Sequence, residues 1–189
     1  NGGNFNNESG HTLFNESTSN FTNQSGATLT LDGNMVQQVS ATFTNSGAII
    51  NNATLYNEGT STFTNESGAT LTLNGNMEQQ VGATLTNNGT ILNYANISNN
   101  GNIVNNATIR GTGGINPNAA CTNGSGSAYY PGPSPGTGTF TVTGNFDFGS
   151  STLHSDIEGT AAFDKFVVNG TVTLGGTATL SLSGSYTPT

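Results

Sequence analysis

The stretch Leu85–Ile115 reads LTNNGT ILNYAN ISNNGN IVNNAT IRGTGG I when broken every six residues. Each block opens with Leu or Ile. Asn holds the third place in the first four blocks, and Gly or Ala holds the fifth in all five. Six is a multiple of the strand period of two and a poor multiple of the helical 3.6, so one apolar residue per block cannot form the wide stripe of an amphipathic helix. It suits a short strand that places one side chain inward and then turns. Asn and Gly tolerate positive φ and suit the corners. The pattern predicts a β-solenoid: one face per block, several faces per turn, and like residues stacked above like.

Working backwards, FTNSGA, IINNAT and LYNEGT keep the six-residue frame from Phe43 to Thr60. Nearer the start the spacing is eight, in FNNESGHT, LFNESTSN and FTNQSGAT, opening at Phe5, Leu13 and Phe21. A longer repeat overlies both. The segment opening TSNFTNQSGATLTL at Thr18 returns at Thr60 as TSTFTNESGATLTL, an offset of 42 with about two thirds of the positions identical. Forty-two residues make two turns of about 21, within the range of solenoid repeats. The expected core ladder is Phe5, Leu13, Phe21, Leu29, Phe43, Ile49, Leu55, Phe63, Leu71, Leu85, Ile91, Ile97, Ile103, Ile109 and Ile115. Asn45, Asn51, Asn57, Asn87, Asn93, Asn99 and Asn105 form an expected Asn ladder. Identical amides one strand spacing apart, ~4.8 Å, hydrogen-bond along such a stack.

Only 6% of residues are charged, against roughly 25% in ordinary globular chains. Net charge is −8, and Arg110 and Lys165 are the sole Lys or Arg residues. Two cations cannot build the basic patch that nucleic acid requires, and anionic membrane surfaces are disfavoured for the same reason. No apolar run is long enough to span a bilayer and no signal peptide opens the chain, so no membrane insertion is expected. The opening NGGNF enters the repeat almost at once, as a processed or trimmed product would. Sparse charge and an Asn/Thr-rich surface predict an extracellular or cell-surface protein. Cys121 is the single cysteine, which excludes an internal disulfide. It reads as an unpaired thiol in a Gly/Ser-rich loop.

Three regions follow. Residues 1–115 are the solenoid. Residues 116–138 hold four of the five prolines and read as a linker or loop, with Tyr129 and Tyr130 as anchors. Residues 139–189 lose most of their Asn and read as a short C-terminal module of alternating strands. Gly175–Gly176 would be its tight hairpin turn or corner.

This C-terminal segment, TFTVTGNFDFGSSTLHSDIEGTAAFDKFVVNGTVTLGGTATLSLSGSYTPT, resembles one found in large bacterial surface proteins, including autotransporter-type passengers and adhesins. Leu153, Ile157, Gly159, Asp164, Phe166, Val168, Gly170, Thr171, Leu174, Gly175, Gly176, Leu180, Leu182, Tyr186 and Pro188 carry the likeness. It implies a right-handed parallel β-helix at the cell surface. In such relatives further strands follow the Pro-Thr; here the chain stops at Thr189, as a cleaved or trimmed chain would.

Chemistry is sparse. Asp156, Glu158 and Asp164 could be drawn as a glycosidase pair, but Asp164 reads as a turn or capping carboxylate. Glu8, Glu16 and Glu66 recur at corners where Gln24 replaces one of them, a looseness that catalysis would not tolerate. His11 and His154 have no partner at metal-ligand spacing, and no D-x-D-x-D calcium run is present. The hexads differ from those of hexapeptide acyltransferases, which favour Gly at the second place. No enzyme activity, metal or cofactor is expected. Asn-x-Ser/Thr marks candidate glycosylation acceptors at Asn7, Asn15, Asn20, Asn23, Asn52, Asn65, Asn88, Asn96, Asn106, Asn123 and Asn169, although corner asparagines account for most of these. The expected function is structural: a fibre subunit stacking head to tail through unpaired end strands, or the rod of an adhesin. A carbohydrate-binding or carbohydrate-cleaving β-helix would use Tyr56, Tyr94, Tyr129 and Tyr130. An ice-binding solenoid would need a flat Thr face, hinted at by ATLTL at Ala27 and Ala69.

Overall fold

The computed structural model describes residues 3–133, 136–175, 177 and 179–184; Gly176, Tyr186 and Pro188 lie outside them. The described residues contain no helix and form 25 strands, all but the shortest few in three parallel sheets. The chain is an all-β parallel solenoid of about eight turns, each turn contributing one strand to each face in order. The first face has nine strands, from Asn4–Asn7 to Thr179–Ser183. The second has eight, from Thr12–Asn15 to Lys165–Val168. The third has six, from Asn20–Asn23 to Cys121–Asn123. A two-stranded sheet, Phe146–Asp147 with Val172–Thr173, takes the third place in the last two turns.

A typical strand is four residues long with its second and fourth side chains buried. Block lengths of six and eight have a simple origin: four strand residues plus a corner of two or four. Asp32–Gly33, Ser46–Gly47 and Asn88–Gly89 are two-residue corners. Gln24–Ala27, Gln38–Ala41, Glu66–Ala69 and Gln80–Ala83 are four-residue corners, each closed by the fourth N–H donating to the first carbonyl at 3.0–3.1 Å. Either length preserves the alternation of faces, so the register survives. Turns of 18, 20 and 22 residues coexist. Thr28 pairs with Ala48 and Ala48 with Thr70, so the 42-residue repeat spans two turns.

The core is a set of stacked columns. Leu29, Phe43, Ile49, Leu55, Phe63, Leu71, Leu85, Ile91, Ile97, Ile103, Ile109 and Ile115 are all buried, with Leu31, Met35, Leu73 and Met77 beside them. Phe5 departs from its expected place: it sits in the first turn, has a neighbour on one side only, and is 52% exposed. Leu13 and Phe21 of the same turn are partly buried. Burying a Leu or Phe side chain contributes roughly 1.5–3 kcal/mol, so a thin core suffices when every turn repeats it.

The stretch read as a linker differs from that expectation. Cys121–Asn123 pairs with Asn102–Asn105, and Ala128–Pro131 pairs with Thr108–Gly111, so the solenoid runs through it. Its prolines were the misleading signal. Pro117 and Pro131 end their strands, where a missing N–H costs the ladder little. Strands Thr139–Val142, Thr152–Asp156, Lys165–Val168 and Thr179–Ser183 likewise extend the first two faces in parallel. The strands before and after Gly175, Val172–Thr173 and Thr179–Ser183, lie in different sheets and do not pair with each other.

Candidate functional site

The most ordered polar feature is inside the rod. On the third face a carboxamide chain runs through five turns. Asn23 Nδ2 donates to Asn45 Oδ1 (2.8 Å), Asn45 to Asn65 (2.8 Å), Asn65 to Asn87 (2.9 Å) and Asn87 to Asn105 (2.8 Å). Each second amide hydrogen goes to a backbone carbonyl of the next turn: Ala48, Thr70, Thr90 and Thr108. Gly47 and Gly89 N–H groups donate back to Asn45 and Asn87 Oδ1. A buried amide left unmet costs about 1–3 kcal/mol, and the Nδ2 groups of Asn23, Asn45, Asn65 and Asn87 are all met, while that of Asn105 at the end of the amide chain lacks a protein partner.

The expected ladder is continuous on this face alone, through Asn45, Asn87 and Asn105. On the second face the column alternates Asn with Gln. Gln37 Nε2 reaches Asn57 Oδ1 (2.9 Å), but both polar atoms of Gln79 lack a protein partner, and Asn99 bonds the Ala120 carbonyl. On the first face Leu31 and Leu73 intervene. Asn51 and Asn93 therefore bond backbone carbonyls, those of Ala53, Gly75 and Asn76 and that of Gly114.

The candidate glycosylation sites divide by position in the strand. Asn7, Asn15, Asn23 and Asn65 end their strands facing inward, are buried, and donate Nδ2 to backbone carbonyls. They are core residues and not acceptors in the folded chain. Asn20, Asn52, Asn106 and Asn169 are exposed, and Asn88, Asn96 and Asn123 are half-buried. Outer amides also link turns: Asn52 Nδ2 donates to Asp32, Asn74 to Asn52, and Asn106 to Asn88, all at 2.8–2.9 Å.

Past Asn105 the interior changes. Tyr129 is fully buried and its ring meets Phe140, Phe146, Phe148 and Phe166 edge-on at 5.4–6.3 Å. Its hydroxyl donates to Asn123 Oδ1 (2.6 Å). Cys121 lies in a strand stacked on Ile103, not in a loop, and burial pushes its thiol up to about 11. Outside, Arg110 lies over the Tyr130 ring at 5.2 Å, and Tyr130 stacks on His154 at 4.1 Å. Asp164 braces two segments, accepting from Gly138 N (2.7 Å) and Asp156 N (3.0 Å). Partial burial moves its carboxyl above the usual range. Asp156 accepts from the Ser183 hydroxyl.

The four tyrosines are not brought together. Tyr56 faces out of the second face, Tyr130 out of the first, Tyr94 occupies a corner and Tyr129 is in the core. Among the described residues no group of three His, Cys, Asp or Glu is placed to hold a metal ion. Both end turns present apolar side chains: Phe5, Leu13 and Phe21 at one, Val172, Leu174, Leu180 and Leu182 at the other. These features define a three-faced parallel β-solenoid with an amide-lined interior. Comparison with protein-family models, curated proteins and solved structures finds no match for the chain.

Proposed function

We propose that this chain is a structural, non-enzymatic rod, a subunit of an extracellular fibre or the stalk of a cell-surface adhesin, which acts by stacking its ends. The supporting observation is that, among the described residues, the end strands of the sheets pair on one side only and the end turns carry apolar side chains. An open strand edge is a template for another strand, and a head-to-tail contact propagates instead of closing. A second copy, or an adjoining part of a longer chain, would continue the Phe5–Leu29 and Leu153–Leu180 columns. The net charge of −8 makes copies repel one another, so stacking should strengthen as salt screens that repulsion.

Sedimentation velocity across a wide concentration range, with electron microscopy of the same samples, tests this reading. Fibres or concentration-dependent rods are expected, and Phe5→Lys should shorten them. A strict monomer at every concentration sinks the stacking mechanism.

A further inference from the structure

The outer surface of the third face carries two columns of threonine. Thr42, Thr62 and Thr84 form one, in register across three turns. Thr22, Thr44, Thr64 and Thr86 form the other, in register across four. Asn20 and Asn102 extend the first column; Val104 and Thr122 extend the second. No outward position of these six strands is charged. The first face has one run of this kind, Thr70, Thr90 and Thr108, but no second column beside it. The outward third place reads Thr30, Ile50, Thr72, Leu92, Arg110 and Tyr130 on the first face, and Phe14, Val36, Tyr56, Glu78 and Ser98 on the second.

The side chains beneath the grid are regular as well. Beneath it the Phe21, Phe43 and Phe63 rings stack at 4.9 and 4.7 Å with interplanar angles of 15° and 8°. Neighbouring strands in open sheets rotate by roughly 20–25°. Threonine is restricted at χ1, which favours a repeated orientation of its methyl and hydroxyl. The result is a lattice of hydroxyls and methyls, spaced ~4.8 Å between strands and ~6.6 Å along them.

We infer that this threonine lattice binds ice, with the outward hydroxyls of Thr42, Thr44, Thr62, Thr64, Thr84 and Thr86 taking the place of lattice water. A periodic surface complements a periodic partner. A charged mineral would demand charged side chains, and a crystalline polysaccharide would demand outward aromatic rings for stacking; the face has neither. Ice is an uncharged periodic lattice of water, which hydroxyls and methyls together accommodate. The sequence pointed elsewhere: ATLTL places Thr28, Thr30, Thr70 and Thr72 on the first face, where Ala48 and Ile50 separate the pairs.

The test is ice-crystal shaping and thermal hysteresis of the full chain, measured beside Thr64→Tyr at the grid centre and Thr72→Tyr on the first face. The expected result is faceted crystals with a freezing-point gap for the parent chain. Thr72→Tyr should keep both, and Thr64→Tyr should lose both while retaining its β circular dichroism and melting temperature. Unshaped crystals with the parent chain overturn the inference. So does full activity in Thr64→Tyr, or a Thr64→Tyr defect confined to sedimentation, which would assign the face to a second copy of this chain.

Discussion

Between Asn23 and Asn105 the third face lines the rod with a hydrogen-bonded carboxamide chain; from Tyr129 to Phe166 the same interior is filled by rings packed edge to face. The amide chain is satisfied only if each turn places its Asn one strand spacing from the last. Its turns are accordingly uniform, at 18–22 residues. Aromatic packing carries no such periodic demand. There the step from Ala128 to Thr152 is 24 residues and that from Thr152 to Thr179 is 27, with longer excursions before Thr139 and Lys165. One strategy enforces regularity; the other tolerates interruption.

The largest way to break this contrast is Tyr129→Ala. It removes the ring that meets four others and the donor to Asn123, and should cost about 3–5 kcal/mol in chemical unfolding. Hydrogen exchange should quicken first across residues 121–168 while Ile49–Ile97 stay protected, because solenoid turns couple mainly to their neighbours. A uniform loss of protection would show that the two regions form one cooperative unit.

A smaller effect sharpens the role of the amides. Asn65→Leu interrupts the continuous chain and should cost about 2–3 kcal/mol in urea melts. Asn51→Leu, whose column neighbours Leu31 and Leu73 are already aliphatic, should cost about 1 kcal/mol. Equal losses would mean that the ladder adds nothing beyond holding the corners.

The smallest effect lies at the junction. Burial raises the Cys121 thiol from 9.0 to about 11, with the Tyr129 hydroxyl partly offsetting it. The neutral thiol is the form that folding favours. The unfolded chain sheds this proton first as pH rises past 9, so stability should decline between pH 9 and 11. Replacing Cys121 with Ala should flatten that part of the pH profile, and alkylation at pH 8.5 should be far slower in the folded chain than in urea.

Much of the rod was legible because its information is local. Six- and eight-residue spacing revealed the strands and their inward positions, and the recurrence of Asn at the strand end pointed to an inner ladder. Column membership was not legible. Two- and four-residue corners preserve the same alternation, so nothing in one block says which block lies above it. The distinction between Asn65 in the core and Asn52 outside follows only from counting strand positions within a turn. Cys121–Asn123 and Ala128–Pro131 were hidden for a related reason: they are strands by virtue of the preceding turn's backbone, and their own Gly, Ser and Pro content argues for a loop.

Corner length has a bearing on how such chains change over generations. Because the inward side chains from Phe21 to Ile115 recur every six or eight residues, an insertion or deletion of two residues at a bend there leaves the inside and outside of the rod intact. A change of one residue turns the following strand over, moving its aliphatic and amide side chains into water. Descendants should therefore vary in length by even steps, and whole blocks of six or eight should be gained and lost more freely than single residues.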